Sequence, residues 1–381
     1  MSDPVRFGRA AGQSEQNFGQ AEQEKPAALG RKRRKNKAAR NQFIVFFNFL
    51  FSLLVFAMVA LGATLYFGQA QFEAPGPHDV GATYTVRSGA NVAQVANGLR
   101  REGLISNSRI FEYGVRAYRN EGELKAGEYD IPASASMKEI MDKFVEGRAI
   151  LYPLTVVEGW TVHRAMEEIA ANEFLTGDVP EELPPEGTLV ADTQKFGRGT
   201  DRAELIARMQ AQQERIVAQI WEKRSPDLPI DTIEDFVTLA SIVEKETGVA
   251  EERPLVAAVF VNRLNLGMRL QSDPTIIYGI FGGEGKPADR PIFRSDIDTP
   301  TDYNTYTIDG LPPGPIAIPG RASLEAVANP AQTDDLFFVA DGTGGHAFAK
   351  TLEEHNRNVA RWREIERERE AEAQSENSSG N

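Results

Sequence analysis

The 381-residue chain contains no cysteine and only four histidines, His78, His163, His346 and His355. Without cysteine there is no disulfide framework, no thiolate nucleophile, no Fe–S cluster and no thiolate zinc site. No two histidines stand four residues apart, which excludes the helical His-pair zinc motif. Charge is missing altogether from Phe43 to Phe67. What surrounds that gap is unequal. Residues 1–42 carry 10 basic and 4 acidic side chains, whereas residues 68–381 carry 32 basic and 51 acidic ones. So acidic a body is not expected to bind nucleic acid, because phosphate contacts need local positive charge. Hydrophobic residues at 41% and charged residues at 25% exclude wholesale disorder. The length suits two modest folded units with additions.

The uncharged run FIVFFNFLFSLLVFAMVALGATLYF exceeds the roughly 20 residues needed to cross a hydrocarbon core. Arg31-Lys32-Arg33-Arg34-Lys35, Lys37 and Arg40 precede it. A basic run of this kind also serves nuclear targeting or DNA binding, but its place beside an apolar span favours a topogenic role. By the positive-inside rule the N-terminus is cytoplasmic and residues 68–381 lie outside. A cleaved signal peptide is the other alternative. Its apolar region is roughly 7–15 residues and starts near the terminus, so an uncleaved anchor over 43–67 is expected instead. Residues 1–42 read as a disordered basic cytoplasmic tail, 68–80 as a Pro/Gly linker, and 366–381 as a second disordered tail.

A small α+β unit is expected over 81–149. Tyr84-Thr85-Val86 reads as a strand. Asn91 opens a helix, with Gln94 as capping-box partner and Val92, Val95, Ala96 and Leu99 as its apolar stripe, and Gly103 stops it. A second helix covers Ser108 to Tyr118, and Gly127 to Ile131 is a strand closed by Pro132. Ser136 and Glu139 cap a third helix that Gly147 ends. This order, with its Y-x-V-x-x-G start, resembles a LysM-like module, which implies a grip on peptidoglycan. The plain alternative is a spacer.

A larger α+β domain is expected over 150–365. Pro153 to Val157 reads as a strand, Thr161 caps a helix to Ala171, and a long helix runs from Asp201 to Lys223. Asp231 and Glu234 form the expected capping box of a helix that continues to Gly248. Phe236, Leu239, Ala240, Val243 and Thr247 share one face of it. At 100° per residue Glu244 and Glu246 lie about 200° apart, flanking that face on opposite sides, and Lys245 points to solvent. A carboxyl at the core edge and at a helix C-terminus has its pKa raised, which is what a general acid near neutral pH requires. The plain alternative is a solvated Glu-Lys-Glu helix end. The wheel does not separate Glu244 from Glu246.

Residues 240–280 (ASIVEKETGVAEERPLVAAVFVNRLNLGMRLQSDPTIIYGI), 298–320 (DTPTDYNTYTIDGLPPGPIAIPG) and 337–356 (FFVADGTGGHAFAKTLEEHN) closely resemble the MltG (YceG-like) family of endolytic murein transglycosylases. The resemblance covers about residues 80–365. It implies non-hydrolytic cleavage of the bond between N-acetylmuramic acid and N-acetylglucosamine in nascent peptidoglycan, leaving 1,6-anhydro ends and terminating strand elongation. One carboxyl protonates the glycosidic oxygen and then, as carboxylate, takes the proton of the C6 hydroxyl that closes on C1. One Glu suffices, where ordinary glycoside hydrolysis uses two carboxyls. The family's catalytic position maps onto Glu246, and Glu244 is then expected to support Arg253, Arg263 or a backbone group.

Other matched positions are candidate substrate contacts: Asn262, Arg263, Gln271, Asp273, Tyr303, Asn304, Thr305 and His346. Each has a structural alternative. Asn262 and Arg263 could be a hydrogen-bonded pair, Asp273 a helix N-cap, the Tyr303–Tyr306 aromatics core, and His346 a support. Leu311-Pro-Pro-Gly-Pro-Ile316 is a rigid turn. Where the family has a Phe-Pro-Asp-Thr-Tyr type run, this chain has Val190-Ala-Asp192-Thr193-Gln194, which keeps only the Asp-Thr pair. The resemblance implies no metal, nucleotide or redox cofactor. It places the enzyme at a bacterial inner membrane with its catalytic domain in the periplasm, and makes peptidoglycan synthases partners. Two rival functions are a non-catalytic peptidoglycan-binding scaffold and a pyridoxal-phosphate lyase. The latter needs a buried Schiff-base lysine, and Lys245 lies on the exposed side of the wheel.

Overall fold

The computed structural model describes residues 37–379. Most of the expected basic tail lies outside the described residues. The chain divides into two units, residues 1–67 and 68–381. In the first, helix α1 starts at Lys37, and it ends at Glu73. Its segment Asn41–Glu73 has a mean hydropathy of 2.6 in its most apolar window and buries none of that window within the protein. The helix is long and apolar enough to cross a membrane. It overruns the expected limits 43–67 at both ends. Gln69, Ala70 and Gln71 favour helix, so residues 68–73 are helical rather than linker, and the stop comes with Pro75.

The second unit is mixed helix and sheet, as expected. Strand β1 (Ala82–Val86) pairs antiparallel with β2 (Gly127–Ile131), with Tyr84 opposite Tyr129. Between them lie α2 (Val92–Arg101) and α3 (Ser108–Ala117), and α4 (Met137–Glu146) follows. The Asn91/Gln94 and Ser136/Glu139 capping boxes both close, and Gly147 ends α4 in the left-handed conformation. Val95, Leu99, Phe111, Tyr129, Ile140 and Phe144 form one core, sealed by Phe72. Here Tyr84 lies flat against α2, its hydroxyl donating to the Val95 carbonyl at 3.0 Å. That fit is possible because residue 98 is glycine.

Strand β3 (Tyr152–Thr155) leads to α5 (Val162–Ala171), capped by Thr161. The short β4 (Leu175–Thr176) pairs in parallel with β6 (Thr200–Asp201), and β5 (Thr193–Phe196) pairs antiparallel with β3. Asp201 caps the long α6 (Arg202–Trp221). Val190 and Gln194, from the run that departs from the family pattern, are buried, so part of this run is core. Next come α7 (Ile233–Glu246), α8 (Arg253–Asn265), α9 (Asp273–Phe281), α10 (Arg294–Asp298) and α11 (Arg321–Ala328). The hairpin β7 (Phe337–Ala340) with β8 (His346–Ala349) and helix α12 (Leu352–Ser379) complete the chain.

Three expectations are corrected here. The cap of α7 is Thr232, whose hydroxyl oxygen accepts from the Asp235 amide, so the cap sits one residue later than Asp231 and the Asp231/Glu234 box does not form. The helix ends at Glu246 because Thr247 is already extended. The expected C-terminal tail is helical as far as Ser379, where a Glu/Arg/Ala-rich composition favours helix.

Helix α7 is the centre of the larger part. Every residue from Phe236 to Val243 is buried, which exceeds the one-sided burial that the periodicity implies. It packs against α8 and α11, with Phe236, Leu239, Ile242 and Val243 meeting Val256, Phe260, Leu324 and Val327.

Gly98→Ala tests the fit of β1 on α2. Alanine improves helix propensity by up to about 1 kcal/mol. Its methyl carbon, however, would stand 2.1 Å from the Tyr84 hydroxyl oxygen, which is buried and hydrogen-bonded. Overpacking wins, and thermal denaturation should show a net loss of about 1–3 kcal/mol. A higher melting temperature would disprove this packing.

Candidate active site

Glu244 and Glu246 leave the last turn of α7 in different directions and meet different chemistry. Glu244 is nearly sealed, its side chain 6% exposed. Its Oε2 accepts from the Ser323 hydroxyl at 2.7 Å and from the Gly320 amide at 3.0 Å, and Arg253 lies 3.8 Å from Oε1. Glu244 thus ties α7 to the start of α11. Of the supports expected for it, Arg253 and a backbone group are present. Arg263 is engaged elsewhere.

Among the described residues Glu246 has one hydrogen-bond partner. The Ser272 hydroxyl donates to its Oε1 at 2.5 Å. Burial pushes the Glu246 carboxyl up to about 7. The Ser272 bond opposes that rise, nearby Asp273 adds to it, and His346 and Arg263 act against it from further off. The group therefore exchanges its proton near neutrality, with Oε2 free of any partner among the described residues.

Ser272 is held in turn. Its amide donates to Thr305 Oγ1 at 2.9 Å, its carbonyl accepts from Thr275 Oγ1 at 2.6 Å, and the two threonine hydroxyls meet at 2.9 Å. Thr275 and Thr305 are both fully buried. Gln271, at a positive φ of 51°, donates its amide to the Thr305 carbonyl at 3.2 Å. The side chains of Gln271 and Asp273 are exposed. Ser272, not Asp273, occupies the N-cap position of α9, which corrects the N-cap alternative for Asp273. The Asp273 Oδ1 instead accepts from the Tyr306 hydroxyl at 2.7 Å.

The remaining candidates divide by what already satisfies them. Asn262 donates to the carbonyls of Thr333 and Asp335 at 2.8 and 3.0 Å. Arg263 is buried and donates to the carbonyls of Leu336 and Leu270, both at 2.7 Å. Asn304 is buried and donates to the Thr299 and Ile297 carbonyls. These side chains, with Thr305, have a scaffolding geometry. Tyr303 is half-buried, its ring 4.9 Å from that of Tyr278. His346 Nδ1 lies 2.7 Å from Glu252 Oε2, and its amide donates to Glu252 Oε1 at 2.7 Å. Glu252 also accepts from Thr247, so one carboxylate joins the end of α7 to β8. Lys245 is exposed and reaches the Gly159 carbonyl.

Sequence reasoning passed over Ser272, Thr275 and Glu186. Ser272 and Thr275 stand inside the QSDPT run, whose Asp-Pro drew attention as the helix start. Glu186 sits in a Pro-rich loop with no periodicity to mark it. Its Oε1 accepts from the Val162 amide at 2.8 Å, and the Tyr278 hydroxyl approaches Oε2 at 3.4 Å.

The sequence profile of the YceG-like family matches residues 84–361. The chain belongs to that family. It is 31% identical over 362 residues to a protein of Streptococcus pneumoniae (strain D39) named endolytic murein transglycosylase, covering 82% of this chain and 64% of the relative. A Bacillus subtilis (strain 168) protein of the same name is 28% identical over 330 residues, covering 78% of this chain and 89% of the relative. The chain thus spans somewhat under two thirds of the length of the pneumococcal relative. A crystal structure of a yceG-like protein from Listeria monocytogenes is 28% identical and covers 73% of this chain and 98% of that one, with a TM-score of 0.46.

The Glu246 carboxyl makes stability depend on pH in a definite direction. Unfolded, it releases its proton near 4.5, and folded, near 7. Between those values the native state holds more protons than the unfolded state, so stability falls as pH rises through the window. Glu246→Gln removes that loss. Its gain over the parent should be small at pH 4 and reach a plateau above pH 7, with a ceiling of about 3 kcal/mol. Denaturation at pH 4.5 and pH 8 measures it. An equal gain at both pH values would show that burial of the acid is not its source.

Proposed function

We propose that this protein is a lytic transglycosylase. It cleaves the bond between N-acetylmuramic acid and N-acetylglucosamine in nascent peptidoglycan, with Glu246 as the one acid and base. The observation that carries the reading is the state of Glu246. It is a half-buried carboxyl pushed up to about 7 by loss of water, held on one oxygen by Ser272 and without a partner on the other among the described residues. Such a group is protonated often enough to act as an acid and, once ionised, basic enough to take a proton back.

The steps balance on that one group. Glu246 gives its proton to the glycosidic oxygen as the C1–O bond breaks, and the leaving sugar departs as an alcohol. The resulting carboxylate takes the proton from the C6 hydroxyl of N-acetylmuramic acid. The C6 oxygen bonds to C1, closing a 1,6-anhydro ring, and Glu246 is protonated again. Water is not consumed, so no second carboxyl is needed to activate it. The names carried by the relatives support this reading, as does the coverage of the family match.

The apolar helix α1 anchors the enzyme in a bacterial inner membrane. The basic run before it keeps the N-terminus cytoplasmic and sets the catalytic part in the periplasm. Residues 81–149 act as the LysM-like glycan-gripping unit, and peptidoglycan synthases are the protein partners. Alkaline phosphatase fused after Glu73 should be active, and a fusion before Phe43 inactive.

The direct test treats purified peptidoglycan with the detergent-solubilised chain and reads the ends by mass spectrometry. The parent should yield 1,6-anhydro ends, and Glu246→Gln should lower their rate by at least about a hundredfold. Ser272→Ala should lower it about ten- to hundredfold, since it removes one hydrogen bond to a chargeable group. Reducing ends from the parent would mean hydrolysis. Products unaffected by Glu246→Gln would take the role from Glu246. No products from any form would favour a glycan-binding scaffold.

A further inference from the structure

We propose that the cleft between the start of α5 and the end of α9 is a carbohydrate subsite, in which Glu186 donates a hydrogen bond to an oxygen of an N-acetylated amino sugar. This rests on the reading that the substrate is a glycan. The cleft has a volume of about 410 Å³, and Leu183, Pro184, Glu186, Tyr278, Phe281 and Gly283 are among its lining residues. It lies near the lower end of the range for small-ligand pockets, a size suited to one sugar unit. Its walls combine aromatic and aliphatic surface with one carboxyl group, the composition that a pyranose needs. The apolar face of the ring stacks and its edge hydrogen-bonds.

The walls are fixed before any ligand arrives. Thr161 Oγ1 donates to the Gly283 carbonyl at 2.6 Å, tying the cap of α5 to the turn after α9. Tyr278 is braced by Tyr303, and the Arg290 guanidinium covers Phe281 at 4.9 Å. Gly187 adopts a φ of +78°, and a methyl group there would come within 2.9 Å of Pro315 and Val237. The backbone is thus pressed against its neighbours at the residue after Glu186.

Glu186 is half-buried and incompletely partnered. Its Oε1 accepts from the Val162 amide, the Gly187 amide also lies against the carboxyl, the Tyr278 hydroxyl approaches Oε2 only at 3.4 Å, and no Lys or Arg pairs with it among the described residues. His163 on α5, Glu284 in the turn, Tyr278 on α9 and Tyr303 are the titratable groups around the cleft. Burial outweighs the Val162, Gly187 and Tyr278 hydrogen bonds and pushes the carboxyl up to about 7. A proton on Oε2, the oxygen whose contact is longest, can be donated to a sugar hydroxyl or acetamide oxygen. The cleft shares α9 with the Glu246 site. Ser272 immediately precedes that helix, and Tyr278 stands near its end.

The test uses the full chain in detergent, carrying Glu246→Gln so that nothing is cleaved, and measures chitotetraose binding by calorimetry. Chitotetraose should bind this parent. Adding Glu186→Ala should weaken binding at least about tenfold. Glu186→Gln, which keeps both an acceptor and a donor, should retain it. Leu183→Arg, a substitution at an exposed rim position, should weaken binding as much as Glu186→Ala does, with an unchanged melting temperature. The parent should lose affinity between pH 6 and 8, and the Glu186→Gln form should not.

Several outcomes overturn the proposal. Chitotetraose fails to bind the parent, or Glu186→Gln weakens binding as much as Glu186→Ala. All variants bind alike at every pH, which would leave Glu186 a helix cap. In a chain with Glu246 intact, Glu186→Ala loses peptidoglycan cleavage although the same substitution leaves chitotetraose binding unchanged, which would make the group catalytic. The outcome in which chitotetraose binds as expected, but a chain with intact Glu246 cuts no peptidoglycan, defeats the transglycosylase reading and leaves the subsite standing.

Discussion

An ionised carboxyl drawn away from water at the C-terminal end of a helix is opposed twice, by the loss of water and by the carbonyl ends of the last turn. Glu246, half-buried at the end of α7, is in that position, and much of the surrounding structure serves to hold it there without a compensating cation. An arginine alongside would fix it as a carboxylate. The arginine close enough to matter, Arg263, instead has its donors on the carbonyls of Leu336 and Leu270. A single hydroxyl, that of Ser272, orients the group while leaving it free to exchange a proton.

Holding Ser272 takes two buried threonines and a strained residue. Thr275 and Thr305 bond to each other and to the Ser272 backbone, and Gln271 turns through a left-handed conformation to bring the chain there. Buried hydroxyl networks of this kind are stable only when each member is satisfied, so they fix one arrangement. The neighbouring carboxylate Glu244 does opposite work. Three donors surround it, and it joins α7 to α11 as a structural anchor. Two residues apart on one helix, one Glu is saturated and the other kept nearly free.

The loop over 303–306 links the Glu246 site to the Glu186 cleft. Thr305 bonds to Ser272, Tyr306 to Asp273, and Tyr303 braces Tyr278. Both carboxyls are pushed toward neutrality by the same cause, burial without a cationic partner. On a body whose acidic residues outnumber its basic ones, withholding cations from two particular carboxyls is a matter of placement.

The sequence by itself determined the elements whose signals are local. The apolar run that makes α1, the Asn91/Gln94 and Ser136/Glu139 boxes and the strand at Gly127–Ile131 all depend on residues within a few positions of one another. It also carried Glu246 as a family match, and Glu244 as the alternative that the helical wheel left open. Only the tertiary structure decided between their surroundings, because that depends on partners 26 to 79 residues away, Ser272 for one and Gly320 and Ser323 for the other. Asn262, Arg263 and Asn304 read as sugar contacts because amides and guanidinium groups suit sugars. Which of them faces a backbone carbonyl is set by loops that carry no periodic signal. Glu186 was illegible for the same reason: its burial comes from α5 and α9, which sequence order does not bring together.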